Sequence, residues 1–290
     1  MRSTLRYIFL LIFPFVLMGC HDVVDSRPLL TVSIDPLRYF VQAIGGDNFQ
    51  INTLVPSGAS PETYELTPQQ VVQASDSKAY FSIGTLGFEQ TRLQKLVDNA
   101  PNLMVVNCSD SITLLQTDHH HEHKTHATDG IDLHTWMSTT SGKQIAHNVL
   151  RALCQVDSAN AALYQHRHDS LVHRIDSLDN TIREQLRPLT HRTFMIYHPA
   201  LGYYARDYGL QQVSVEQDGR EPSAERMQQL ILQAQREKVK VVFIQEEQAG
   251  RAAKRIAESA KTKIISIAPL SAEWDKQMLH IAQTLAQTSH

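Results

Sequence analysis

The stretch TDHHHEHKTHAT, residues 117–128, holds five of the fifteen histidines in the chain. Neutral imidazole is the commonest metal-binding side chain, and it suits zinc, nickel and copper. His119, His120, His121, His123 and His126 can therefore collect such ions. The run follows neither helical nor strand periodicity and reads as a loop. A loop must lose conformational entropy for every residue it fixes around an ion, whereas a preformed cleft has already lost it. Residues 118–126 are thus expected to be an accessory metal loop, with the tight site elsewhere.

Three polar residues stand where such a site would be built. Glu62 lies in PSGASPETYEL, after the apolar run FQINTLV. His198 closes RTFMIYH. His134, in IDLHTWMS, sits where the chain leaves the histidine run and enters the next helix. In open α/β sheets, ligands bind beyond the carboxyl ends of the strands. Residues so distant in sequence can meet only if the fold assembles them.

The surrounding pattern supplies such a fold. From about Pro28, short β-branched runs alternate with amphipathic ones, which argues for parallel sheets covered by helices. Thr67, Pro68 and Gln70 form a capping box at one helix start, and Ser223 caps another. Between the two alternating halves, Tyr164, Leu171, Ile175, Leu178, Ile182 and Leu186 recur at a spacing of seven and then of three and four, and mark one face of a long helix. Asp157 or Ser158 is expected to cap it, and Pro188 lies beyond its end. The expected organisation is an N-terminal α/β lobe over 21–156, a linking helix over 157–187 and a C-terminal α/β lobe over 188–290. The fold class is therefore α/β, two similar lobes with parallel sheets joined by one backbone helix, with a cleft between them.

Residues 1–20, MRSTLRYIFLLIFPFVLMGC, stand apart. Arg2 and Arg6 precede an apolar run that is too short to span a bilayer, as expected of an export signal. The ending Leu17-Met18-Gly19-Cys20 resembles the bacterial lipobox, which makes Cys20 the lipidated first residue of the mature chain. Three cysteines do not make a disulfide scaffold. Export permits a bridge between Cys108 and Cys154, and two unpaired thiols are equally compatible with the sequence. A net charge of -3 gives no basic stripe for nucleic acid. With 42% apolar residues the chain can bury a sizeable core.

Four stretches in order, GASPETYELTP, DLHTWMS, HPALGYYARDYG and EQDGREPS, together with the histidine run, resemble the metal-binding solute-binding proteins of bacterial ABC transporters, most closely the zinc-uptake type. The likeness covers nearly the whole chain after the signal. It implies that His134 and His198 are metal ligands. The family histidine of the first motif falls on Glu62, and the late aspartate of manganese-type members falls on Ala268. The implied site is one carboxylate and two imidazoles, with the fourth position filled by water or by Glu65, Glu246 or Glu247. The implied cargo is Zn2+, with Mn2+ or Fe2+ as the alternative because a carboxylate hardens the site. The implied partner is a permease in the inner membrane. The protein itself is expected to be a monomer, periplasmic or held at the cell envelope by its lipid. The chain has no phosphate-binding loop, so ATP hydrolysis falls to another subunit.

Two other classes fit some of these residues. Three protein ligands and an open position also describe a zinc hydrolase, although the chain has no His-Glu-x-x-His. A metal chaperone or adhesin would use the histidine loop alone. Tyr64, Tyr203 and Tyr204 read as packing residues. His147, His166, His168 and His173, on helices, read as solvated.

Overall fold

The computed structural model describes residues 26–56, 58–91, 100–116, 130–216, 219–245 and 251–288. Strands β1 (Leu29–Val32), β2 (Gln50–Thr53), β3 (Ala79–Ser82) and β4 (Met104–Asn107) form one parallel sheet in the order β2-β1-β3-β4. Strands β5 (Thr193–Ile196), β6 (Gln211–Ser214), β7 (Val241–Gln245) and β8 (Lys263–Ile267) form a second parallel sheet in the order β6-β5-β7-β8. The two halves therefore share one topology. In each, the chain reverses direction across the sheet beside its first strand, which opens a crevice at the carboxyl ends.

The crossovers include α1 (Asp35–Gly45), α2 (Pro68–Ser75), α3 (Thr139–Val156), α4 (Ala161–Leu186), α5 (Gly202–Tyr208), α6 (Ala224–Arg236), α7 (Arg251–Ala260) and α8 (Trp274–Thr288). The expected caps form: Thr67 and Gln70 make the reciprocal capping box of α2, and the Ser223 hydroxyl accepts from the Arg226 N–H at the start of α6. All four residues of β3 are buried, as a strand covered on both faces requires. Along β5 the side chains alternate. Phe194 and Ile196 enter the large core shared by both lobes, while Met195 and the following Tyr197 enter a smaller core beneath α6 and α7.

Helix α4 is the structural spine. Its 26 residues span about 39 Å at ~1.5 Å per residue. It packs on α1 and α3 of the first lobe and on α8 of the second. Tyr164, Leu171, Ile175, Ile182 and Leu186 are buried along that seam. The start differs from expectation. Neither Asp157 nor Ser158 caps the α-helix: a short 3-10 turn occupies 158–160, and α4 begins at Ala161 without a side-chain cap. The Asp157 carboxylate is engaged instead by the Tyr164 hydroxyl at 2.6 Å and the Asn160 amide at 2.8 Å.

Two tryptophans stitch the lobes beside the crevice. The Trp136 indole N–H donates to the Pro269 carbonyl at 2.9 Å, and that of Trp274 donates to the Trp136 carbonyl at 2.6 Å. Both side chains are fully buried. Cys108 and Cys154 are free thiols, so the open alternative resolves against a bridge. Among the described residues no helix is long and apolar enough to cross a membrane.

Candidate metal centre

His198 follows the carboxyl end of a strand directly, and Glu62 and His134 lie on longer connections that leave such ends. Glu62 lies on the loop after β2. That loop rests on the turn after β3, where a Cβ on Gly87 would stand 3.3 Å from the Glu62 carbonyl oxygen. The turn is seated by the buried Glu89 carboxylate, which accepts from the N–H groups of Ile83, Gly84 and Leu86 at 2.9, 2.7 and 3.2 Å and from the Ser33 hydroxyl. Burial pushes the Glu89 carboxyl up, against the pull of these donors.

His134 lies between β4 and α3. The bridge between Gln116 and Ile131 closes the base of the histidine-run segment, and the Asp132 N–H donates to the Leu115 carbonyl at 2.9 Å. Asp132 Oδ1 accepts from both the backbone N–H and the ring Nδ1 of His134, each at 2.9 Å. The Tyr203 hydroxyl braces the same corner. It donates to the Asp132 carbonyl and accepts from the Leu115 N–H, both at 3.0 Å. Tyr203 and Tyr204 are fully buried packing residues, and Tyr64 bonds Gln70.

His198 sits two residues beyond β5, and Glu216 two residues beyond β6, the adjacent strand. Parallel pairing carries both side chains to the same edge, where His198 Nδ1 meets Glu216 Oε1 at 2.6 Å. The sequence reading did not assign this role to Glu216, although the residue opens the EQDGREPS stretch. Its pairing with His198 follows only from the neighbouring strands.

The three candidates converge across the lobes. His134 Nε2 and His198 Nε2 lie 3.2 Å apart, and Glu62 Oε1 lies 3.7 Å from the first and 3.1 Å from the second. Among the described residues no other group of three His, Cys, Asp or Glu brings its ligand atoms within 4.8 Å of one another. The imidazoles are buried, while the Glu62 side chain keeps 32% exposure and faces the opening. Each ring turns Nδ1 to a carboxylate and Nε2 to the centre. That is the outer-shell pattern that fixes histidine for metal binding, since the carboxylate sets the tautomer and raises ring basicity.

The charges agree with this arrangement. Burial alone would lower the basicity of His198, but hydrogen bonds and charge from Glu216 and Glu62 outweigh it and raise the imidazole to about 10. Burial alone would raise Glu62, but the His198 hydrogen bond and the two nearby imidazoles hold it below the ordinary carboxylate value. At neutral pH without metal, a proton on His198 Nε2 thus occupies the centre that two nitrogens and an oxygen enclose. That proton is what an entering cation would replace.

The other expected participants divide in two. Glu65 is exposed and outside the cluster, and Ala268 offers only a backbone N–H, which donates to Gln277 at 3.1 Å. Glu246, Glu247, Cys20 and the run His119, His120, His121, His123 and His126 lie outside the described residues. Of the helix histidines expected in solvent, His147, His166 and His173 are exposed, but His168 is not. Its side chain is packed between α3 and α4 with 12% exposure, because its register on α4 points toward α3 rather than outward.

Comparison with known proteins places the chain in a family. The family model described as ZnuA, zinc-uptake complex component A, periplasmic, matches residues 30–288. A putative metal-binding protein of Chlamydia muridarum is 28% identical over 218 residues, covering 73% of this chain and 74% of that protein. The high-affinity zinc uptake system protein ZnuA of Bacillus subtilis is 24% identical over 266 residues, covering 86% of this chain and 81% of that protein. The crystal structure of a ZnuA has a TM-score of 0.84 and 32% identity, covering 91% of this chain and 100% of its own. With two lobes of matching topology, a spine helix and a match running from the first strand to the last helix, the chain belongs to the ZnuA family of periplasmic zinc-uptake components.

Proposed function

We propose that this protein captures one zinc ion between its lobes through Glu62, His134 and His198 and delivers it to a membrane permease. The observation that carries the reading is the convergence of two Nε2 atoms and one carboxylate oxygen, each imidazole being held from behind by its own carboxylate. Zinc accepts this donor set in a tetrahedral site, with water at the fourth position. The ligands come from both lobes, so binding holds the lobes together, and release requires that they part. His134 and Glu62 move with the first lobe and His198 with the second.

Residues 1–20 serve as the lipoprotein signal, 21–156 as the first lobe, 157–187 as the linking helix and 188–290 as the second lobe. Cys20 carries the lipid that keeps the mature protein at the envelope. The protein acts as a monomer and catalyses no reaction. Residues 118–126 gather zinc weakly beside the cleft.

The test is metal analysis and chelator competition on purified, tag-free mature protein, repeated with His198→Ala. The expected result is one tight zinc per chain that the substitution abolishes while the fold persists. Unchanged affinity in the variant refutes the cleft site, and preferential retention of manganese or iron refutes the zinc assignment.

A further inference from the structure

A second pair of histidines meets across the seam between α3 and α4, outside the cluster of Glu62, His134 and His198. His147 lies on α3 and His168 on α4, with ring centroids 6.1 Å apart and planes inclined by 66°. His168 Nδ1 meets Asp169 Oδ1 at 2.9 Å. Its Nε2 is shut off from solvent and has no hydrogen-bond partner. A buried polar atom without a partner is rare enough to call for an explanation.

The chemistry of the ring narrows that explanation. The Asp169 carboxylate can only accept, so a neutral His168 places its proton on Nδ1 and leaves a bare lone pair on Nε2. That tautomer is the one that binds metal, and it repeats the carboxylate-backed arrangement of His134 and His198. His147, the neighbouring ring, is exposed and free to reorient. An ion about 2.0–2.1 Å from each nitrogen holds two imidazole centroids roughly 5–6 Å apart, so the 6.1 Å seen here closes on an ion with a small inward shift of the exposed His147 ring. Asp169 Oδ1 is engaged by the Gln165 side-chain amide as well, at 2.8 Å, which holds the carboxylate in place behind the ring.

From these relations we infer that His147 and His168 form a second, exchangeable site for a divalent cation that accepts imidazole nitrogen: zinc, nickel or copper. Two protein ligands with water completing the shell bind more weakly than the three of the cleft. The ion would fasten the spine helix to α3 of the first lobe. Entry requires the seam to open enough to expose the His168 nitrogen.

The experiment follows the histidine ring nitrogens by NMR in the full mature protein, labelled with 15N-histidine and titrated with zinc beyond one equivalent. After the cleft is filled, the His168 Nε2 and His147 ring resonances should move together, with an apparent affinity at least tenfold weaker than that of the cleft. His147→Ala, an exposed substitution, should weaken the His168 response at least tenfold while leaving the His134 and His198 signals unchanged. Immobile His147 and His168 resonances at a zinc concentration that shifts residues 119–126 overturn the proposal. So does a His168 response that is the same in His147→Ala. Neither outcome touches the cleft reading, which the His134 and His198 signals report separately.

Discussion

The Nε2 atoms of His134 and His198 stand 3.2 Å apart although 64 residues and the whole spine helix separate them in sequence. One ring is carried by the first lobe and the other by the second. Their approach is therefore a property of the assembled pair of lobes, and any group that bridges them reports on lobe closure.

The first expectation concerns protons. Without metal, Glu216 and Glu62 outweigh burial and raise the His198 imidazole to about 10. Zinc must displace its proton, so apparent zinc affinity should rise about tenfold per pH unit across pH 6–9. Calorimetry in buffers of different ionisation enthalpy should report release of about one proton per zinc. The stability of the metal-free protein runs the other way. A raised folded value gives stabilisation that is fully present below the unfolded imidazole value near 6.5 and is lost as pH rises through about 10. Its melting temperature should therefore fall from pH 6.5 to 10 while the zinc-dependent increment grows. Glu62 is held below its ordinary value, so it stays ionised throughout and loses its contribution only at lower pH.

Glu216→Gln keeps an oxygen beside His198 Nδ1 and removes the charge. Outer-shell partners of metal-bound histidines typically contribute 10–100-fold in affinity. At pH 9, where the wild-type ring still gives up about tenfold to its proton, the variant should bind zinc up to about tenfold more weakly than wild type. At pH 6 the gap should narrow, because the less basic ring also yields less to the competing proton. An affinity difference that is constant with pH would reduce Glu216 to a packing role.

The start of the spine illustrates where sequence and structure part. Periodicity placed the buried face of α4 correctly from Tyr164 to Leu186, because burial follows from side-chain spacing alone. It misplaced the cap, because the Asp157 carboxylate had two possible uses and the Tyr164 hydroxyl, in the first turn of the same helix, took it. Likewise His198 and His134 could be singled out from the sequence, the first because it closes a strand and the second because it stands where the chain enters the next helix. Glu216 could not, since only strand order makes β6 the neighbour of β5. His168 read as solvated because helical spacing does not say which neighbour covers a face.

Glu62 is the one carboxylate in the proposed donor set, and substituting it tests metal choice. Glu62→His replaces a hard oxygen with a third imidazole, which suits zinc and disfavours oxygen-preferring manganese. Competition titration should show the preference for zinc over manganese enlarged at least tenfold, whatever happens to absolute affinity. An unchanged preference would mean that the Glu62 carboxylate makes no contact with the ion.

Deleting residues 118–126 should lower the number of zinc ions bound and leave one tight site intact. The base of that segment is already closed by the Gln116–Ile131 bridge and the Asp132–Leu115 hydrogen bond, so His134 keeps its support. Equilibrium dialysis of the shortened protein gives the count. Loss of the tight site would move the function into the histidine run.

The measurement closest to the central claim is a crystal structure of the mature, zinc-loaded protein with anomalous data collected on both sides of the zinc edge. Zinc held in the cleft gives a strong anomalous peak about 2.0–2.2 Å from Glu62 Oε1, His134 Nε2 and His198 Nε2. A fully loaded protein whose zinc density lies only among residues 119–126, with the three side chains left as they stand without metal, would contradict the cleft site.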